Sequence, residues 1–353
     1  MTKLALLVIV MATGCGGKKE PDKAPAPGSA PSADAATSAP KTAEQKAVRY
    51  HACWAAWNDG KYEAFATCYT VDATSDAPGS GQPTITGRDR IVAQSKEAKI
   101  GLPDQKGTLE LELVSGDTII SMVLLTGTHT EPMKGPTGDL PTTSKKVGVR
   151  AAVVVNLDPD GAITSESTYL DSLTFLGQLA PSTKKGFEVR APITAPAPHV
   201  IIVAKGDDRE KANAAVVATM QAALNKHDIK QAAASLADDV VWSELAGSQD
   251  VGKQDLLAGT PGFWKAFPDL TYEVTRTWTA GDYVVVQETL RGTNTGPMPG
   301  MGITKPTGKP IEIPALAVFQ LSGGKVKAGW LFLQSSAMTN ALGIDTGIGV
   351  PPT

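Results

Sequence analysis

Asp171 has the clearest capacity for proton chemistry, because the chain repeats its surroundings with that group altered. Gly127-Thr128-His129-Thr130, followed by Pro132-Met133, returns 165 residues later as Gly292-Thr293-Asn294-Thr295, followed by Pro297-Met298. The same interval joins Gly116-Asp117 to Gly281-Asp282, Pro103-Asp104 to Pro268-Asp269 and Gly87-Arg88 to Gly252-Lys253. Gly161 and Gly324 lie 163 apart, and that interval sets Asp171 opposite Gln334. Spacing held over so many landmarks marks a duplicated domain. One copy therefore carries a carboxylate and an imidazole, Asp171 and His129, where the other carries two amides, Gln334 and Asn294. A carboxylate on the floor of an apolar pocket has a raised pKa, since desolvation penalises its charge. Asp171 would then take and return a proton near neutrality, with His129 orienting a carbonyl or sharing the proton. Each has a plainer alternative. Asp171-Ser172-Leu173 opens a short helix, where Asp is a favoured N-cap. His129 reads equally as a solvent-facing residue at a strand end.

Other side chains suggest a ligand site. Tyr50, Trp54 and Trp57 share one helical face and would line a pocket mouth or simply fill the core. Tyr169 in the first half, and Trp242, Asn294, Met298 and Gln334 in the second, are further candidate ligand contacts. Pro297-Met298-Pro299-Gly300-Met301-Gly302 reads as an apolar lid or a long hairpin connection, since methionine adapts to irregular ligands. His51, His199 and His227 read as ordinary surface or helix residues. Four scattered histidines, without Cys-x-x-Cys or His-Glu-x-x-His spacing, predict no metal site and no cofactor. Phosphate-loop, dinucleotide and nucleophile-elbow motifs are also missing from the sequence.

The elements that must position these residues follow from periodicity. Ala47, Tyr50, Trp54 and Trp57 recur at helical intervals, with further helices after Gly60 and Gly87. Leu109, Leu111 and Leu113 alternate with Glu110 and Glu112, which predicts a half-exposed strand. Strands follow at about 117–128, 145–157 and 162–170, and a short helix at 172–179. The second half repeats the order, with strands at about 271–279, 283–294, 309–321 and 325–333. Helices first, then strands joined by short turns, argue an α+β fold with an antiparallel sheet. The expectation is two cone-shaped α+β barrel domains, each with three helices on a curved sheet and a pocket between the layers. Between them, Val200-Ile201-Ile202-Val203 reads as an extra strand docking on one sheet.

Composition sets the limits. The chain has 353 residues, 42% of them hydrophobic, which suffices for two cores. The net charge of −3, with Lys and Arg scattered, excludes a nucleic-acid surface. Residues 1–14 read as a targeting segment, because Leu4 to Ala12 is an apolar run too short to span a bilayer. Ala12-Thr13-Gly14-Cys15 resembles the bacterial lipoprotein signal, which implies acylation of Cys15, a membrane anchor and an exported location. Residues 15–43 form a Pro/Ala-rich tether. Cys53 and Cys68 sit symmetrically about the Asn58-Asp59-Gly60-Lys61 turn, so a disulfide or two buried thiols is expected.

The order helix, Asn-Asp-Gly, helix, Gly-Arg-Asp, Pro-Asp, Gly-Asp, Gly-Thr-His-Thr, then Tyr169-Leu170-Asp171 with Gln178-Leu179, resembles the SnoaL-like polyketide cyclase family. The second half is similar through Ala266-Phe267-Pro268-Asp269-Leu270, Arg291-Gly292-Thr293 and Pro306-Thr307-Gly308-Lys309. The resemblance implies the cone fold shared with nuclear transport factor two, on residues 44–181 and 208–345, joined by 182–207 and followed by a tail at 346–353. It also implies an acid/base role for Asp171, with His129 beside it, in an aldol-type ring closure. Cone folds host enzymes and plain binding modules alike. The expected role is binding of a small, largely apolar molecule by an anchored lipoprotein, its halves paired as an intramolecular pseudo-dimer. The alternatives are a cyclase or isomerase using Asp171, and a structural envelope protein with filled cavities.

Overall fold

The computed structural model describes residues 41–135, 138–243 and 250–348. The targeting segment, Cys15 and nearly all of the tether lie outside the described residues, as do 349–353 of the tail. The first helix, α1 (Ala43–Asn58), starts at a capping box: the Thr42 hydroxyl accepts from Gln45 N, and Gln45 Oε1 accepts from Thr42 N. Its buried stripe is Ala47, Tyr50, Cys53 and Trp57. There follow α2 (Tyr62–Ala66), β1 (Tyr69–Asp76), β2 (Ile85–Thr86), α3 (Arg88–Ala98), β3 (Lys106–Ser115) and β4 (Thr118–Thr128). A small hairpin of β5 (Met133–Gly135) and β6 (Gly138–Leu140) leads to β7 (Lys146–Leu157), β8 (Ile163–Leu170) and α4 (Ser172–Leu179). A connector carries β9 (Val200–Val203).

The second half repeats this order. Its elements are α5 (Asp208–Asn225), α6 (Ile229–Ala234), β10 (Leu236–Ser243), β11 (Val251–Gly252), α7 (Lys253–Ala266), β12 (Thr271–Ala280) and β13 (Tyr283–Thr293). A 3-10 turn at Pro299–Met301 precedes β14 (Pro310–Ser322), β15 (Lys325–Leu333) and α8 (Ser335–Leu342). Asn58 pairs both its amide groups with Gly107 N and O; Asn225 does the same with Tyr272. One side chain thus fixes the first helix to the third strand in both halves.

The sheets run β2-β1-β8-β7-β4-β3-β9 and β11-β10-β15-β14-β13-β12. Both are antiparallel through their centres. β1 lies parallel to β8, and β10 parallel to β15. β9 is the docked apolar run, and it joins the first sheet parallel to β3. β1 and β10 are strands that the apolar pattern did not show, since Thr, Asp and Ser dominate Tyr69–Asp76.

Alternation along the strands sorts side chains between two cores. Val153 and Val155 face the helices, while Ala152 and Val154 face the other way. That outer face meets the second sheet: Leu111, Leu113, Ile120, Met122 and Tyr169 pack with Trp278, Val285, Leu316, Val318 and Phe332. β3 is therefore not half-exposed. Leu111 and Leu113 cover the neighbouring domain, Leu109 packs on the helix-side core beyond a bulge, and both glutamates are buried, Glu110 being 3% and Glu112 0% exposed. Arg150 neutralises Glu110, with Nε 2.6 Å from Oε2. Alternating Leu and Glu looks half-solvated in sequence, but here Glu110 meets Arg150 and Glu112 meets His51 and His199.

Candidate functional site

The first domain encloses a cavity of about 220 Å³ between its helices and its sheet. Tyr50, Trp54 and Trp57 from α1 line it and also pack into the helix-side core, with Phe65, Ile91 and Val153 opposite and beside them. Gly107 makes this possible: a Cβ there would come within 2.4 Å of the Trp54 ring. Cys53 is also on the wall, bonded to Cys68 with their Cα atoms 5.9 Å apart. Tyr50 is anchored through its hydroxyl to Ser121 Oγ at 2.8 Å, and burial pushes that phenol well above its usual range.

One polar cluster breaks the apolar lining. Glu166 on β8 enters the cavity beside Ser75 and Asp76 of β1. Tyr69 donates to Glu166 Oε2 at 2.8 Å, and Ser75 donates to Oε1 at 3.4 Å. Burial raises the Glu166 carboxyl above the usual carboxylate range; the two hydroxyls pull it back, and nearby Asp76 pushes it up again. A carboxyl so placed can hold a polar ligand group or exchange a proton with it. Sequence reasoning missed Glu166: the 163-residue interval pairs it with Gly329, but only the pairing of β8 with β1 brings it to the cavity.

The second domain fills the equivalent space. Trp242 pairs with Gly329 in the register where Ser75 pairs with Glu166. A Cβ on Gly329 would lie 2.7 Å from the Trp242 ring, so the indole occupies the volume a side chain there would need. Trp242 also packs edge-on against Phe319. Trp242 is thus a core plug rather than a ligand contact. At the positions of Trp54 and Val123, this half has Gln221 and Glu288, bonded at 2.8 Å.

Asp171 and His129 do not line the cavity. Asp171 caps α4, accepting from Leu173 N at 3.3 Å and Thr174 Oγ1 at 2.6 Å. It also accepts from Ser335 N and Oγ at the start of α8 in the other domain. Gln334 reciprocates, its Oε1 accepting from Ser172 N at 3.2 Å. The carboxylate and its amide counterpart are therefore crossed interdomain caps. Burial raises the Asp171 pKa, and its four donors oppose the rise. Tyr169 points the same way, accepting a bond from Gln287 of the second domain at 2.8 Å.

His129 is fully buried rather than solvent-facing. Thr143 N donates to its Nδ1 at 3.2 Å, which places the proton on Nε2. Desolvation lowers its pKa. Asn294 does the same job, its Oδ1 accepting from Thr307 N at 2.8 Å. Histidine and asparagine are interchangeable here because each offers one acceptor to a tight loop. Met298 packs at the margin of the second core, bridged to Ile303.

A family model described as SnoaL-like polyketide cyclase matches residues 47–179 and again 214–342. The chain belongs to the SnoaL-like polyketide cyclase family. Both SnoaL-like domains are covered, and the connector is not. Among solved structures, AclR of Streptomyces galilaeus, described as a hydroxylase, is 25% identical over 38% of this chain and 97% of its own, with a TM-score of 0.35. A protein of Jannaschia sp. CCS1, described as a SnoaL-like polyketide cyclase, is 23% identical over 41% of this chain and 97% of its own, with a TM-score of 0.35. An LEH-like epoxide hydrolase of M. tuberculosis is 16% identical over 38% and 90%, with a TM-score of 0.31. No curated protein matches the chain.

Proposed function

We propose that the first SnoaL-like domain binds a small, largely apolar molecule carrying one hydrogen-bonding group, and that the second domain is a structural partner. The observation that carries this is the contrast at one register position: Ser75 and Glu166 beside a cavity, Trp242 over Gly329 in the repeat. Aromatic walls supply the affinity, and Glu166 receives the polar group. The test is calorimetric titration of small ketones, lactones and aromatic alcohols against the parent chain and a Ser75→Trp/Glu166→Gly variant. That variant copies the plug of the second domain. Binding by the parent and its loss in the plugged variant are expected. Equal binding by both would end the proposal.

A second reading is favoured by the raised pKa of Glu166: proton transfer within the cavity, as in a cyclase or isomerase. The acid/base group is then Glu166 and not Asp171. Glu166→Gln would abolish turnover of a bound substrate while binding persists. The N-terminal pattern supports attachment of the whole chain to an envelope membrane through acylated Cys15. Among the described residues no helix is long and apolar enough to cross a membrane. Incorporation of labelled fatty acid, lost in Cys15→Ser, tests this.

A further inference from the structure

A second cluster lies on the far side of α1, away from the cavity. His51 of α1, Glu112 of β3 and His199 of the connector converge, although 148 residues separate the two histidines. Among the described residues they are the group of three with metal-ligating side chains in reach of one ion. One ring nitrogen from each histidine and a carboxylate oxygen lie within 4.8 Å of one another. His199 Nε2 sits 2.9 Å from Glu112 Oε1, and His51 Nε2 contacts the same oxygen. The imidazole rings are tilted at 45° to each other, with centroids 4.7 Å apart.

Glu112 gives the independent indication of a ligand. Its side chain is fully buried, yet Oε2 has no hydrogen-bond partner. A buried carboxylate oxygen left unpartnered is costly, and an ion is one of the few groups that would satisfy it. The histidines are 37% and 31% exposed at their side chains, so the outer side of the cluster is open to an entering ion. Two imidazoles and one carboxylate suit zinc and its neighbours, whereas calcium and magnesium prefer all-oxygen sets. Zinc at about 2.1 Å from each donor needs donors about 3.4 Å apart, within the spread of up to 4.8 Å found here.

We propose that His51, His199 and Glu112 form a binding site for a divalent transition-metal ion of the zinc type. The ion staples three distant segments: the first helix, strand β3 of the first sheet and the interdomain connector. His199 immediately precedes β9, whose Val200 and Ile201 are 42% and 45% exposed. The first half of β9 is therefore half open to solvent, and a bound ion would fix its start. An accessible fourth coordination position remains for water.

The test uses the whole chain without an affinity tag, stripped with chelator and dialysed against zinc, with metal measured by mass spectrometry. About one equivalent is expected, unaffected by excess magnesium or calcium. His51→Gln and His199→Gln, both at partly exposed positions, should each weaken retention about tenfold or more. Cobalt substituted for zinc should give the visible absorption of a four- or five-coordinate site, lost in both variants. Zinc should also slow proteolysis of the connector in the parent and not in His199→Gln. Absence of a zinc equivalent, or equal retention by the parent and both histidine variants, would overturn the assignment.

Discussion

Replacing Asp171 by Ala separates a cap from a catalyst. In the folded chain the carboxylate accepts from Leu173 N and Thr174 Oγ1 in its own domain, and from Ser335 N and Oγ across the interface. Loss of the N-cap costs about 1 kcal/mol. Three further donors lose their acceptor, at about 1 kcal/mol each. Against this, alanine removes the desolvation of a carboxyl whose pKa burial has raised, so the sum is an upper value. A net loss of about 3 kcal/mol is expected, with Asp171→Asn costing about half, because one acceptor survives. Urea unfolding followed by tryptophan fluorescence reads this directly. Binding in the cavity should stay within a factor of about two, since the side chain does not reach it. Unchanged stability together with lost binding or turnover would refute the assignment of Asp171 as a cap.

The Cys53–Cys68 bridge closes a separation of 15 residues, so replacing both by Ser should destabilise the first domain by about 3 kcal/mol in the chain-entropy model. Urea midpoints equal to those of the parent would contradict that. Glu288 gives a pH signature in the second domain. Burial lifts its carboxyl from 4.5 to about 7, so between those values the folded chain keeps a proton that the unfolded chain has lost. Its effect on stability is therefore nil below pH 4.5 and grows more unfavourable as pH rises to 7. Glu288→Gln should be more stable than the parent by about 3 kcal/mol at pH 8 and nearly equal at pH 4. Its amide could also donate to Gln221 Oε1, which lacks a partner. The same difference at both pH values would refute the assignment.

Repeated landmarks made the duplication legible, because turns and caps need particular residues: Gly-Asp at hairpins, Pro-Asp before strands. Helix periodicity placed Tyr50, Trp54 and Trp57 on one face of α1, but could not separate cavity wall from core. The polar end of the cavity was not legible. It depends on β1, whose polar sequence hides a strand, and on the parallel pairing of β1 with β8 that brings Ser75 to Glu166. Asp171 misled because an N-cap and a general base call for the same residue. Which it is depends on what faces it, and here that is Ser335 from 164 residues away. His51 and His199 looked ordinary because their shared partner, Glu112, lies on a strand whose alternation suggested solvent.

The account rests on one half being hollow and the other filled. Xenon enters dry apolar cavities, so a crystal structure of the chain under xenon pressure tests it most directly. Xenon is predicted beside Trp54, Trp57 and Val153, with none beside Trp242 and Phe319. Xenon at Trp242, or none in the first domain, would contradict it.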